Sequence, residues 1–157
     1  MRGQAAMEYL MTYGWALLII VIVFAALLYM GVLNPQARMQ ESCTLPVGFQ
    51  CEPVEATGDG EVTVKITNLQ AFPMEHVQIA VLTERVDVSD VDKEWYGDEE
   101  SIQPGSTEEL KATLRKGDGE KVTDLSKGSM VQGYLYVKYE RDDTDKYLTG
   151  TVNVQVS

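Results

Sequence analysis

Between Glu8 and Arg38 the chain carries no charged residue, and this uncharged run limits what the protein can be more than any other feature. Within it, residues 16–33 read ALLIIVIVFAALLYMGVL, long and apolar enough to cross a bilayer as a helix. Upstream, QAAMEYLMTYGW continues in good helix formers. A continuous helix over about Gln4 to Asn34 is about 45 Å long at about 1.5 Å per residue, which exceeds the roughly 30 Å of hydrocarbon. Asn34-Pro35 disfavours helix at residue 34 and marks a stop or a kink, with a short continuation toward Gln40 if Pro35 opens a new first turn. The expected division is a leader over 1–3, a hydrophobic stalk helix over 4–40 and a head over 41–157.

Charge is distributed as unevenly as hydropathy. The whole chain has 13 Lys+Arg and 24 Asp+Glu; setting aside Arg2, Arg38 and Glu8 leaves 11 against 23, so the head carries about −12. A surface so negative repels nucleic acid and anionic lipid, which argues against nucleic acid as a partner. The two cysteines, Cys43 and Cys51, follow the apolar run closely. They read as a disulfide or as two thiols in a reducing compartment. A membrane-directing segment just before them favours an oxidising exterior and the disulfide. Zinc needs more ligands than this pair and the single histidine, His76, supply.

Beyond Cys51 the apolar period changes to two. Residues 61–68, EVTVKITN, alternate Val62, Val64 and Ile66 with polar neighbours, as a half-buried strand does. Residues 76–84 place Val77, Ile79 and Val81 on one face, and 132–140 and 146–156 are rich in Tyr, Val and Thr. Further strands are expected over 43–56, 93–103 and 106–115. Turn residues separate them at Gly58-Asp59-Gly60, Pro104-Gly105, Gly117-Asp118-Gly119 and Asp142-Asp143-Thr144-Asp145. About seven short strands at this spacing predict a β-sandwich of immunoglobulin-like type, and with the stalk an α+β protein.

An ordinary secretory signal has a shorter apolar core and a small-residue cleavage site after it; this run is longer and has no A-x-A site behind it. An acidic residue inside such a helix is costly and therefore functional by default, which singles out Glu8. The run Arg2-Gly3-Gln4-Ala5-Ala6-Met7-Glu8-Tyr9-Leu10 resembles the class III signal sequence of archaeal type IV pilin-like proteins. In that family a prepilin peptidase cuts on the cytoplasmic side of the helix, before a glutamine, and the helix is retained. Gln4 and Glu8 match the motif's glutamine at the first mature position and glutamate at the fifth. Gly3 precedes the cut; Ala6 stands where the family often has serine. The resemblance covers roughly residues 1–35 and implies a structural subunit of an extracellular adhesive pilus. The precursor would be membrane-inserted and the mature chain a homopolymer, served by the peptidase and the pilus assembly machinery.

The helix is apolar nearly all round, as expected where lipid or protein covers every side. Small residues Ala5, Ala6, Gly14, Ala16, Ala25, Ala26 and Gly31 permit close helix approach. Glu8, Tyr9, Tyr13, Trp15 and Phe24 are the candidate assembly residues, and the aromatic ones, with Tyr29, fill gaps between neighbours. A monomeric anchor displaying a surface binding module, with Tyr13 and Trp15 at the membrane interface, is the rival reading. The head offers no catalytic constellation, no phosphate loop and no H-E-x-x-H, so no enzyme and no cofactor are expected. Asp87, Asp90 and Asp92, and Asp142, Asp143 and Asp145, are read as solvated turns in preference to calcium ligands, and no metal site is assigned. No N-x-[ST] sequon occurs.

Overall fold

The structure, a computed structural model, describes residues 2–30, 40–91 and 95–157. The chain divides into two compact units between Met39 and Gln40. In the first, α1 runs over Arg2–Tyr29, about 42 Å at about 1.5 Å per residue. Its stretch Ala5–Tyr29 reaches a mean hydropathy of 2.4 and is long and apolar enough to cross a membrane. The helix begins two residues before the expected Gln4. Asn34-Pro35, Gly31 and Arg38 lie outside the described residues, whereas Gln40, the expected end of the stalk, is described and is not helical.

Among its described residues the second unit has eight strands: β1 (Ser42–Thr44), β2 (Phe49–Ala56), β3 (Glu61–Asn68), β4 (Met74–Leu82), β5 (Tyr96–Ile102), β6 (Thr107–Arg115), β7 (Met130–Arg141) and β8 (Thr144–Gln155). The stretch expected as a single strand over 43–56 is two, because Pro46-Val47-Gly48 turns the chain; Gly48 sits at φ +101°, a conformation that favours glycine. The expected strand 76–84 lies two residues earlier, over Met74–Leu82.

Hydrogen bonding gives the order β1-β8-β7-β4-β6-β3-β2, with β5 also on β4. Neighbours are antiparallel with one exception. Strand β6 pairs with β3 from Thr107 to Thr113, then runs parallel to β4 at Leu114 and Arg115. It thereby joins a β2-β3-β6 half to a β1-β8-β7-β4-β5 half. The two ends of the order also approach each other: Cys43 of β1 is bonded to Cys51 of β2, and Val156 bridges Ala56. The head is thus a nearly closed, barrel-like sheet. Strand β2, where the closure is incomplete, carries Pro53 and a register shift at Val54, both of which discourage pairing with a foreign strand.

Inside lie Val62, Val64 and Ile66 of β3, Val77, Ile79 and Val81 of β4, and their counterparts Leu110, Leu114, Leu135, Val152 and Val154. Each such side chain contributes about 1.5–3 kcal/mol by leaving water. Over its last four residues, 79–82, strand β4 is buried on both faces. Ala80 and Leu82 join Val91 and Tyr136 in a second, smaller cluster, packed by Val86, Val88 and Trp95 from the β4–β5 connection. The Tyr136 hydroxyl fastens that connection, donating to the Val86 carbonyl and accepting from its N–H, both at 2.9 Å.

Candidate functional site

The α1 helix displays what its sequence implies: apolar side chains facing outward on every side. Trp15 is 64% exposed and Phe24 56%; only Ala16 and Leu27 are half-buried among the described side chains of residues 3–30. A sequence whose apolar residues have no preferred face gives a helix with no covered face of its own.

Gly3 and Gln4, the expected cleavage pair, lie in the first turn of α1. One turn further on, Glu8 is exposed and its backbone carbonyl accepts the Thr12 hydroxyl at 2.8 Å. Tyr9 and Tyr13, four residues apart on adjacent turns, bring their ring centroids to 4.5 Å. These residues line two shallow recesses that share Tyr9 and Tyr13. One is edged by Ala5, Glu8 and Thr12, the other by Leu10, Gly14 and Leu17. The second recess is apolar and opens where Gly14 has no side chain. Trp15 and Phe24 lie apart from this pair along the helix. By helical spacing Trp15 returns to the Glu8 face two turns on, and Phe24 to the Tyr13 face three turns on. The candidate assembly residues therefore form one local group, Glu8, Tyr9 and Tyr13, and two single positions beyond it.

Cys43 and Cys51 form a disulfide, with Cα atoms 5.3 Å apart. It closes the 45–48 loop and ties the first strand of the head to the last strand of the sheet order. An apolar N-terminal helix of membrane-anchor or signal type, followed by a disulfide, fits an extracellular setting.

The described members of the two aspartate clusters belong to turns or their flanks. Asp142 and Asp143, at φ +52° and +54°, form the two-residue β7–β8 hairpin turn, a geometry that Asp tolerates. Asp145 pairs with Lys138 at 3.1 Å. Asp87 accepts from the Val88 N–H at the start of a short 3₁₀ turn over Val88–Asp90; Asp92 lies outside the described residues. Among the described residues no group of three acidic, histidine or cysteine side chains could hold a metal ion. Gly117-Asp118-Gly119 is a turn closed by Lys116 and Glu120. The Glu120 carboxylate, 2.6 Å from the Lys116 ammonium, raises that lysine above its usual pKa. His76 is exposed, with Nε2 3.9 Å from Glu140.

Sequence reasoning passed over one residue that organises the head. Asn68 ends β3, is fully buried, and continues the inward phase of Val62, Val64 and Ile66. That phase was the available signal: a polar residue on an apolar face needs partners. Its amide donates to the carbonyls of Phe72 and Ile102 at 2.8 and 3.1 Å and accepts the Gln70 N–H at 2.9 Å.

No protein-family model matches this chain, and no curated protein matches it.

Proposed function

We propose that this chain is a structural subunit of an extracellular type IV pilus-like filament of the archaeal kind. The observation that carries the reading is a helix apolar around its whole circumference, interrupted by one carboxylate four residues after Gln4. A prepilin peptidase removes residues 1–3 from the membrane-inserted precursor. The retained helices then leave the bilayer and pack against each other, with the acidic heads as the outer sheath. Within this reading the head is an immunoglobulin-like β-sandwich whose halves, β2-β3-β6 and β1-β8-β7-β4-β5, have become joined at β6. The filament serves adhesion, carries no catalytic step and needs no cofactor.

Glu8 has a specific part in assembly. Cutting before Gln4 creates an α-amine with a reference pKa near 8, mostly protonated at neutral pH. A subunit carrying Glu8 into an apolar core neutralises the amine of one already docked, because burying either charge alone is costly. The contribution is to register more than to strength.

Three measurements test the reading and the role of Glu8 within it. Intact-mass analysis of the mature protein is expected to give a chain beginning at Gln4; a chain still beginning at Met1 overturns the processing step. Electron microscopy of the cell surface with antibody to the head is expected to decorate filaments. Label spread over the envelope without filaments would favour the monomeric anchor. With cleavage and insertion intact, Glu8→Gln is expected to reduce filament number sharply, and normal filament counts would remove the charge-pairing role.

A further inference from the structure

We propose that the outer face of the head carries a binding site for a neutral pyranose sugar, in the recess between residues 85–88 and Thr149 and bordered by Tyr147. The inference concerns the head alone and does not rest on the filament reading.

Three observations carry it. The first is a set of free polar groups around one recess. The recess, about 370 Å³, is lined by Arg85, Val86, Asp87, Val88 and Thr149, a volume within the roughly 300–1,000 Å³ of small-ligand sites. Arg85 is exposed and makes no ion pair or hydrogen bond among the described residues. Asp87 spends one carboxylate oxygen on the Val88 N–H at 3.2 Å and keeps the other. Along β8 the inward positions are Leu148, Val152 and Val154, so Tyr147, Thr149, Thr151 and Asn153 form the outward row. Strand β1 occupies the far half of that row. Thr44 Oγ1 lies 2.9 Å from Thr151 Oγ1, and the Asn153 amide donates to the Ser42 hydroxyl at 3.1 Å. Because β1 ends at Thr44, the hydroxyls of Tyr147 and Thr149 have no partner among the described residues.

The second is an aromatic face beside those groups. Tyr147 precedes Thr149 by two residues on the same face, about 6.7 Å along the strand. It is 41% exposed, and it leans on Trp95 with ring centroids 5.9 Å apart. Its ring is thus held in place while part of it remains open.

The third is preorganisation. The Tyr136 hydroxyl holds both backbone groups of Val86 at 2.9 Å. Val86 and Val88 pack on the smaller core cluster, and Asp87 starts the 3₁₀ turn over Val88–Asp90. Groups already fixed lose little conformational freedom when a ligand arrives.

The chemistry of these groups selects the occupant. Arg85 and Asp87 together carry no net charge, within a head of about −12 that repels anions. A cation meets the Arg85 guanidinium at the rim. A purely apolar ligand strips Arg85, Asp87 and Thr149 of water and returns no hydrogen bond. A pyranose avoids all three difficulties. Its neighbouring hydroxyls both donate and accept, so one pair serves the guanidinium fork and the free carboxylate oxygen. Its C–H face covers the Tyr147 ring.

The test measures Kd by biolayer interferometry for the full chain in mild detergent on immobilised dextran, mannan, galactan and xylan, with anionic polygalacturonate and cationic chitosan alongside. Wild type is expected to bind at least one neutral polymer more tightly than either charged one. On that polymer Arg85→Ala and Tyr147→Ala should each weaken binding about tenfold or more. Asp87→Asn, which keeps an oxygen for the Val88 N–H, should weaken it in the same direction. Tyr147→Phe retains the ring on Trp95 and should lose less than Tyr147→Ala. Lys65→Ala removes the same charge as Arg85→Ala from the β2-β3-β6 half and should leave binding unchanged. Absence of binding to all four neutral polymers overturns the proposal, as does tighter binding to polygalacturonate or chitosan, which would make charge the determinant. Full affinity in Arg85→Ala or Tyr147→Ala overturns it, and so does an equal loss in Lys65→Ala or in Tyr147→Phe. The detergent-solubilised chain is unassembled, so failure here is separable from failure of the filament reading.

Discussion

Asn68 shows how one polar side chain can hold a head together from inside. Replacing it with alanine removes two hydrogen bonds to carbonyls and one to an N–H. The partners stay where they are, short of water. A net contribution near 1 kcal/mol per bond, together with stranded buried groups, gives an expected loss of about 2–4 kcal/mol. Denaturant unfolding of the full-length protein in mild detergent, followed by tryptophan fluorescence, checks this; a loss under about 1 kcal/mol would mean that water replaces the amide. Gly60 is the second residue whose identity is forced. At φ +81° it lies against the Val122 carbonyl, where a Cβ has no room. The Gly58-Asp59-Gly60 turn was readable from sequence; the close approach of residue 122 was not.

Among the elements, β1 is the weakest as a strand. It has three residues, paired with β8 at Asn153, Val152 and Thr151, and the chain enters the head through it. So short a strand has little cohesion of its own, and the disulfide compensates by fastening Cys43 to Cys51 in β2. Changing both cysteines to serine is expected to cost about 2–3 kcal/mol in the chain-entropy model. Hydrogen-exchange mass spectrometry should show faster exchange over 42–50, while the β7–β8 pairing, continuous from Met130↔Gln155 to Arg141↔Thr144, keeps its protection. Unchanged exchange over 42–50 would show that β1 is held by β8 alone. Strands β3, β7 and β8 could be located from sequence because alternation and turn chemistry act within a few residues. The split of 43–56 and the double burial of β4 could not, because each depends on what packs against it.

At the scale of the whole molecule, the two units have opposite surfaces. The helix exposes apolar side chains throughout, and the head buries its apolar residues in a core of its own beneath an acidic exterior. Aggregating surface therefore lies in the first unit. A protein beginning at Gln40 is expected to be soluble and monomeric, with the Cys43–Cys51 bond formed. Light scattering after size exclusion checks the mass, and filaments or stable oligomers from this protein would move the assembly contacts into the head.

Sequence alone determined the helix, its lack of any covered face, the lone carboxylate at Glu8 and the tight turns of the head. These follow from side-chain hydropathy, backbone preference and charge, which act locally whatever the rest of the chain does. The Cys43–Cys51 bond was expected from the sequence, but only the tertiary structure decided that it joins β1 and β2, at opposite ends of the sheet order. The tertiary structure alone decided that β6 joins the two halves, and that the loops 45–48, 69–73 and 103–106 share one end around Asn68. Those outcomes depend on contacts between residues far apart in the chain, such as Cys43 with Val152 and Ala56 with Val156. Closure of the whole sheet sets such contacts, and no local pattern encodes it.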